Sequence, residues 1–345
     1  MKHIVLSALL VGIGVTPAIA TEEINLLTWC DHTDRELLEP FEQANDVRVN
    51  VKVYELTGAA ISLLEQSRPG DWDVFMVDTA DVVRLAQQGI LAPLDSDALP
   101  MGDLFEGARM DSHHVVDGVR YGVPEKFGFN TIAFDGRVMG QDGSVSMRDL
   151  YAPDLAGKVA VYDYYWPVIL QIGQMNGIAP SEFSLEHLDV IREDLFALKD
   201  QAQIVGDIVA TQTSLNTGDA VALIGAAEWV AAVKQDLPHL NWTIQDEGGV
   251  RWSQSLALFE SSEKKDLGMK LIEYLMSPDG QARVATASCY WGFPANSQAA
   301  LTEEQKAFMR FAETDAFLAN AEPFPAYDAE LDTAMIELWT EFLAR

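Results

Sequence analysis

The side chains with most chemistry to offer in this 345-residue chain are aromatic rings and carboxylates set at the ends of apolar runs. Trp29, Asp31 and His32 follow Ile24-Asn-Leu-Leu, and Asp78 follows Val74-Phe-Met-Val. Asp163, Tyr164, Tyr165 and Trp166 follow Val159-Ala-Val, and Glu228 and Trp229 follow Ala222-Leu-Ile. Glu125 and Lys126 interrupt a further run, and Arg251, Trp252 and Gln254 precede Leu256-Ala-Leu-Phe. Rings and acids of this kind hold a ligand; they do not by themselves break bonds. The sequence has no Gly-x-Ser-x-Gly elbow, no His-Glu-x-x-His and no phosphate-cradling Gly-Lys-Ser/Thr. His113-His114 follows Asp111-Ser112 in a polar stretch, and two sequence neighbours rarely ligate one ion. No general base has an evident partner. The chain therefore reads as a binding protein without cofactor or catalytic residues.

The elements that must position these groups follow from periodicity. Residues 24–29 and the alternating Val47-Arg-Val-Asn-Val-Lys-Val predict strands, and Leu37, Leu38 and Phe41 predict a helix over 34–44. A helix over 59–67, a strand over 72–77 and a helix over 78–88 complete an alternating set, which implies a mostly parallel sheet flanked by helices. A second set follows: strands over 158–163, 220–224 and 256–259, with helices over 167–176, 185–199, 226–235, 264–276 and 329–343. Strand ends and the loops beyond them are where open α/β sheets bind ligands. The string EGGVRWSQSLALF, 247–259, places a large ring at the polar end of a strand about to be buried, after two glycines that let the backbone turn.

Composition bounds the partners. The formal net charge is −30, which excludes a nucleic-acid binder, since that role needs basic patches. Lys2 and His3, an apolar run and Ala18-Ile-Ala20 form a secretory signal peptide with cleavage expected after Ala20, so residues 1–20 are set apart from the fold. The remaining chain exceeds what one core usually holds, so two lobes are expected. The two cysteines, Cys30 and Cys289, are readable as one disulfide in an oxidising compartment, provided the fold brings them together.

The order of several strings resembles periplasmic solute-binding proteins of ABC importers, in the spermidine/putrescine-binding branch. The strings are Leu27-Thr-Trp-Cys-Asp31, Val53-Tyr-Glu55, Asp71-Trp-Asp-Val74, Gly89-Ile-Leu-Ala-Pro-Leu-Asp95, Tyr121-Gly-Val-Pro124, Glu247-Gly-Gly249 with Trp252 and Ser255-Leu-Ala257, and Leu271-Ile-Glu-Tyr-Leu275 before Pro278. The resemblance implies an α/β, two-lobed periplasmic binding protein fold of type II, each lobe a mostly parallel sheet flanked by helices. Residues 21–129 plus about 256–300 would form lobe 1, and 130–255 plus about 301–345 lobe 2. Crossings are expected near 129–132 and 253–255. It further implies a periplasmic monomer that captures a small amine by hinge closure and delivers it to permease subunits in the inner membrane.

Amine recognition needs carboxylates for each ammonium and rings along its methylenes. Carried onto this chain, the ligand-binding set is Trp29, Asp31, His32, Asp78, Glu125, Asp163, Tyr164, Trp229, Trp252 and Gln254. Gln254 replaces an acid of the family, and Tyr164 and Pro167 replace an acidic pair. These departures keep open a zwitterionic amino-acid-like or betaine-like solute, whose carboxylate Lys126 or Arg251 could meet. Ferric binding, which would use adjacent tyrosines near 222–229, is disfavoured because Tyr164-Tyr165 lies one strand earlier.

Overall fold

Two sheets, each flanked by helices, organise the molecule into two α/β lobes. The computed structural model describes residues 21–54, 57–140, 145–325 and 328–345; the expected export segment lies outside them. The first sheet has eight strands: β1 (Glu22–Thr28), β2 (Val47–Val53), β3 (Val74–Asp78), β4 (Leu91–Ala92), β7 (Val123–Asn130), β13 (Gly249–Phe259), β14 (Phe293–Pro294) and β15 (Ala321–Pro323). The second has five: β8 (Ile132–Asp135), β9 (Val159–Tyr162), β10 (Ala202–Gly206), β11 (Ala222–Ile224) and β12 (Leu240–Thr243). A small hairpin, β5 (Val115–Val116) and β6 (Val119–Arg120), precedes β7.

The main path of the first sheet runs β14-β7-β13-β3-β1-β2, and the second runs β10-β9-β11-β8-β12. β1 pairs parallel with β2 and β3, and β9 pairs parallel with β10 and β11. The chain passes between sheets at Thr131, which separates β7 from β8, and again between Thr243 and Gly249, the end of β12 and the start of β13. β13 is antiparallel to both β7 and β3, so one long strand forms the middle of the first sheet.

Local sequence explains most of these elements. In β2, Val47 and Val49 face the core while Arg48 is exposed, as period-2 alternation requires. The helix Arg35–Asn45 buries Leu37, Leu38 and Phe41, and stops where Asp46 adopts a left-handed conformation, φ 54°. The helix Lys265–Met276 buries Leu271, Ile272, Leu275 and Met276. At the C-terminus the helix Ala329–Leu343 buries Leu331, Met335, Leu338, Trp339 and Phe342 in the core around β8, β9 and β11.

Several elements depart from the periodic reading. The strand expected over 256–259 begins at Gly249, because the polar stretch Arg251–Ser255 pairs throughout with β7, and Gln254 and Ser255 pair with β3 as well. The helix expected over 226–235 is only Val230–Val233; residues 226–229 instead form a loop that brings Glu228 against β7. β10 and the helix Ile208–Thr217 were not expected, although the Asp207 carboxylate caps that helix by accepting from the Ala210 amide at 2.8 Å.

Candidate functional site

The sheet ends create two adjoining polar regions, one open and one sealed. The open one is a cleft of about 480 Å³. Asp78, Thr79, Asp81 and Arg84, at and beyond the end of β3, form one side with Ala59 and Ile61 of the helix Thr57–Gln66. Tyr164, Tyr165 and Trp166, beyond β9, form the other with Phe324, and Arg251 and Ser253 of β13 form the floor. The first and second sheets thus each supply a wall.

The polar groups of the cleft are held in defined directions. The Asp332 carboxylate accepts from the Tyr165 hydroxyl at 2.6 Å and the Trp166 indole N–H at 2.8 Å, which locks both rings. Arg84 pairs with Asp81 at 2.5 Å. Burial and the Asp78 carboxylate push the Tyr164 hydroxyl well above its ordinary pKa, so it remains a proton donor. Arg251 donates to the Gly107 carbonyl at 2.8 Å, its Nε meets no acceptor among the described residues, and burial lowers its pKa to about 10.

The sealed region lies behind the β13 floor. Its members are Asp31 and His32 on the turn Cys30–His32, Glu125 and Lys126 on β7, Gln254 on β13 and Tyr290 on the loop before β14. Asp31, His32, Glu125 and Lys126 are 0 % exposed, so every charge must be met inside the protein. His32 Nδ1 lies 2.9 Å from Asp31 Oδ1, and Nε2 lies 3.0 Å from Glu125 Oε1. An imidazole with a carboxylate on each nitrogen is an imidazolium donating twice. Burial opposes that charge, but Glu125 and Asp31 outweigh it and raise the His32 pKa to about 10. Burial alone would raise the Asp31 carboxyl; Lys126 and His32 overcome it and hold the group well below the usual carboxylate range. Gln254 donates to Asp31 Oδ2 at 2.8 Å and Glu125 Oε2 at 2.9 Å. The cluster carries two acids and two cations and is neutral as a whole.

Backbone irregularity makes this cluster possible. Consecutive strand residues point to opposite faces. Gln254 pairs with Lys126 while Ser255 pairs with Pro124, so Glu125 is an unpaired bulge residue. The bulge turns Glu125 and Lys126 toward the same interior. The disulfide Cys30–Cys289, with Cα atoms 6.0 Å apart, ties the Asp31 turn to the Tyr290 loop.

A third contact links the regions. Trp252 donates its indole N–H to Glu228 Oε1 at 2.8 Å, and Glu228 Oε2 accepts from the Phe129 amide at 2.9 Å. Burial raises the Glu228 carboxyl to about 7 despite these hydrogen bonds. Gly128 leaves the space: a Cβ there would stand 2.2 Å from Glu228 Oε1 and 2.5 Å from the Trp252 ring.

The residues singled out from sequence therefore fall into five places. Asp78 and Tyr164 line the cleft. Asp31, His32, Glu125 and Gln254 form the sealed cluster, with Trp252 beside it, its ring 5.8 Å from that of Tyr290. Trp29 is half-buried with its ring 5.4 Å from Tyr54. Trp229 is buried in the core, and Asp163 is exposed and accepts from the Trp339 indole at 2.7 Å, so neither is brought to the others. Lys126, considered as a partner for a solute carboxylate, faces Asp31 in the sealed cluster instead. Sequence reading missed Phe324 and Asp332, because nothing local in the C-terminal segment says that it returns to the cleft.

Comparison with known proteins agrees with this architecture. The chain is 25% identical over 315 residues to a putrescine/agmatine-binding protein of Pseudomonas aeruginosa, covering 85% of this chain and 84% of the relative. It is 24% identical over 292 residues to spermidine/putrescine-binding periplasmic protein 1 of Haemophilus influenzae, covering 83% and 79%. The solved spermidine/putrescine ABC transporter substrate-binding protein of Streptococcus pneumoniae superposes with a TM-score of 0.79 at 14% identity, over 94% of this chain and 99% of that one. This likeness places the two lobes in the periplasmic binding protein fold. The model of the bacterial extracellular solute-binding protein family matches residues 36–312, more than half of the sequence, and the chain belongs to that family.

Proposed function

We propose that this protein is the solute-capturing component of an ABC importer for a small polyamine-like or other organic amine. It is exported by residues 1–20, cleaved after Ala20, and works in the periplasm as a monomer without catalytic chemistry. The relatives named as putrescine-, agmatine- and spermidine-binding proteins support the cargo class. One observation carries the reading on this chain: Asp78 and Tyr164, from opposite walls, face the same cleft closely enough for the carboxylate to raise the Tyr164 hydroxyl pKa. A carboxylate opposed to rings is the chemistry that holds an ammonium and its methylenes.

In this reading Asp78 pairs with the cargo ammonium, and Tyr164, Tyr165, Trp166 and Phe324 line its apolar stem. Trp252 and Glu228 connect the cleft floor to the second lobe. Trp29, Asp31, His32, Glu125 and Gln254 set the wall behind it, and Asp163 and Trp229 shape the second lobe. Lobe 1 comprises 21–130 with about 249–300, a bound moved from the expected 256 because β13 pairs within the first sheet, and lobe 2 comprises about 131–248 with the C-terminal helix Ala329–Leu343. Cargo touching both lobes favours the closed form, which a membrane permease then receives.

Titration calorimetry with putrescine, agmatine, spermidine, glycine betaine and γ-aminobutyrate tests the proposal. Saturable one-to-one binding of an amine is expected. Binding of none of the amines, with normal folding, would reject it.

A further inference from the structure

An aromatic face and a carboxylate around an ammonium form the standard cage for an amine ligand. The sealed cluster contains such a cage, and it is already filled. Lys126 Nζ lies 2.5 Å from Asp31 Oδ2, 3.2 Å from the Val284 carbonyl and 3.9 Å from the centre of the Tyr290 ring. An ammonium has three N–H donors, and here are three partners, one of them a ring face. The Tyr290 hydroxyl donates to Gln254 Oε1 at 2.9 Å, which fixes the ring, and the disulfide at Cys289 fixes its loop. Gly292 leaves room for the lysine stem: a Cβ there would lie 3.2 Å from Lys126 Cδ.

The cage also adjoins the cleft. Gln254 pairs across β13 with Lys126 on one edge and Asp78 on the other. Lys126 and Asp78 thus occupy one row of the sheet, two strand spacings or roughly 10 Å apart at the backbone. One position presents a carboxylate to the open cleft and the other presents an ammonium of the protein's own.

We propose that Lys126 is a specificity-determining residue, its side chain standing in for a ligand ammonium in the Asp31–Tyr290 cage, so that cargo amines are read only in the open cleft. The consequence for cargo rests on the amine-binding reading above; the self-filled cage does not. Lys126 removes from the site one place where a second ammonium could be held, and favours cargo with a single cationic end over long polyamines.

The test is chemical complementation. Lys126→Ala deletes a propylammonium-sized group, and Lys126→Met retains the volume without the charge. Propylammonium chloride is added to the full-length mature protein, with tetramethylammonium chloride at equal ionic strength as the control. Saturating propylammonium is expected to raise the melting temperature of K126A by about 2–4 °C more than that of the wild type or K126M, where only the open cleft can take it. In K126A the ratio of spermidine to butylamine affinity is expected to rise at least about tenfold over the wild type. Absence of the propylammonium effect in folded K126A, or an unchanged ratio, overturns the proposal. If K126A does not fold in plain buffer, refolding yield with about 50 mM propylammonium reads the same cage: recovery supports it and equal yields overturn it. A wild type that binds no amine rejects the functional reading separately, because the propylammonium arm does not depend on cargo.

Discussion

Trp252 and Glu228 meet at 2.8 Å, indole N–H to carboxylate, across the junction of the two lobes. Trp252 belongs to β13 of the first sheet, and Glu228 to the loop after β11 of the second. The polar residues around this ring are therefore not an interruption of a buried strand. They equip its first half to touch the second lobe, while Leu256 to Phe259 anchor the other half in the first core.

The burial of Glu228 at this junction makes stability depend on pH. The carboxyl of Glu228 titrates near 4.5 when unexposed to the fold and at about 7 within it. Between these values the folded state keeps a proton that the unfolded state has released, so stability falls as pH rises through this window. The loss is bounded at roughly 3 kcal/mol. Urea midpoints at pH 5 and pH 8 should differ in this direction for the wild type and differ less for Glu228→Gln.

His32 acts at the other end of the scale. Its pKa is raised from 6.5 to about 10, so its stabilisation is complete below 6.5 and is lost as pH rises through about 10. His32→Gln removes the cation between two buried carboxylates and should cost about 3–5 kcal/mol at neutral pH. Thermal melts at pH 7 and pH 10 should converge for the wild type and the variant as the imidazolium deprotonates.

The disulfide joins residues 259 apart in sequence and holds the Tyr290 loop over Lys126. Replacing both cysteines by serine should lower stability by about 3 kcal/mol through the larger freedom of the unfolded chain. Denaturation of the double variant should match that of the reduced wild type.

Gly128 admits no side chain while Glu228 and Trp252 keep their places. Gly128→Ala should destabilise by about 1–3 kcal/mol and shift tryptophan emission as the Trp252 ring is displaced. Unaltered emission and stability would show that the junction is looser than described.

Much of the architecture was legible because it is periodic. Val47 to Val53, the helix ending at Asn45 and the C-terminal helix all carry the spacing of their exposed and buried faces. The ring-and-acid content of the site was legible too, but its division was not. No spacing says that Glu125 is a bulge residue, and that single irregularity sends both Glu125 and Lys126 into the interior. Asp163 and Trp229 sit at strand ends like Asp78, yet the fold commits one to Trp339 and the other to the core. Phe324 and Asp332 reach the cleft only because the C-terminal segment returns to it, a long-range fact with no local signature.

Asp78 carries the cargo claim. Asp78→Asn should weaken amine binding by about 1–3 kcal/mol, roughly ten- to a hundredfold. Calorimetric titration of both proteins with one amine reads this directly.

Capture between the lobes is the claim on which the rest depends, and small-angle scattering measures it. A saturating amine, identified by calorimetry, should reduce the radius of gyration of the wild type, and Asp78→Asn should need at least about tenfold more amine for the same change. Scattering profiles that are identical with and without saturating amine would contradict the claim.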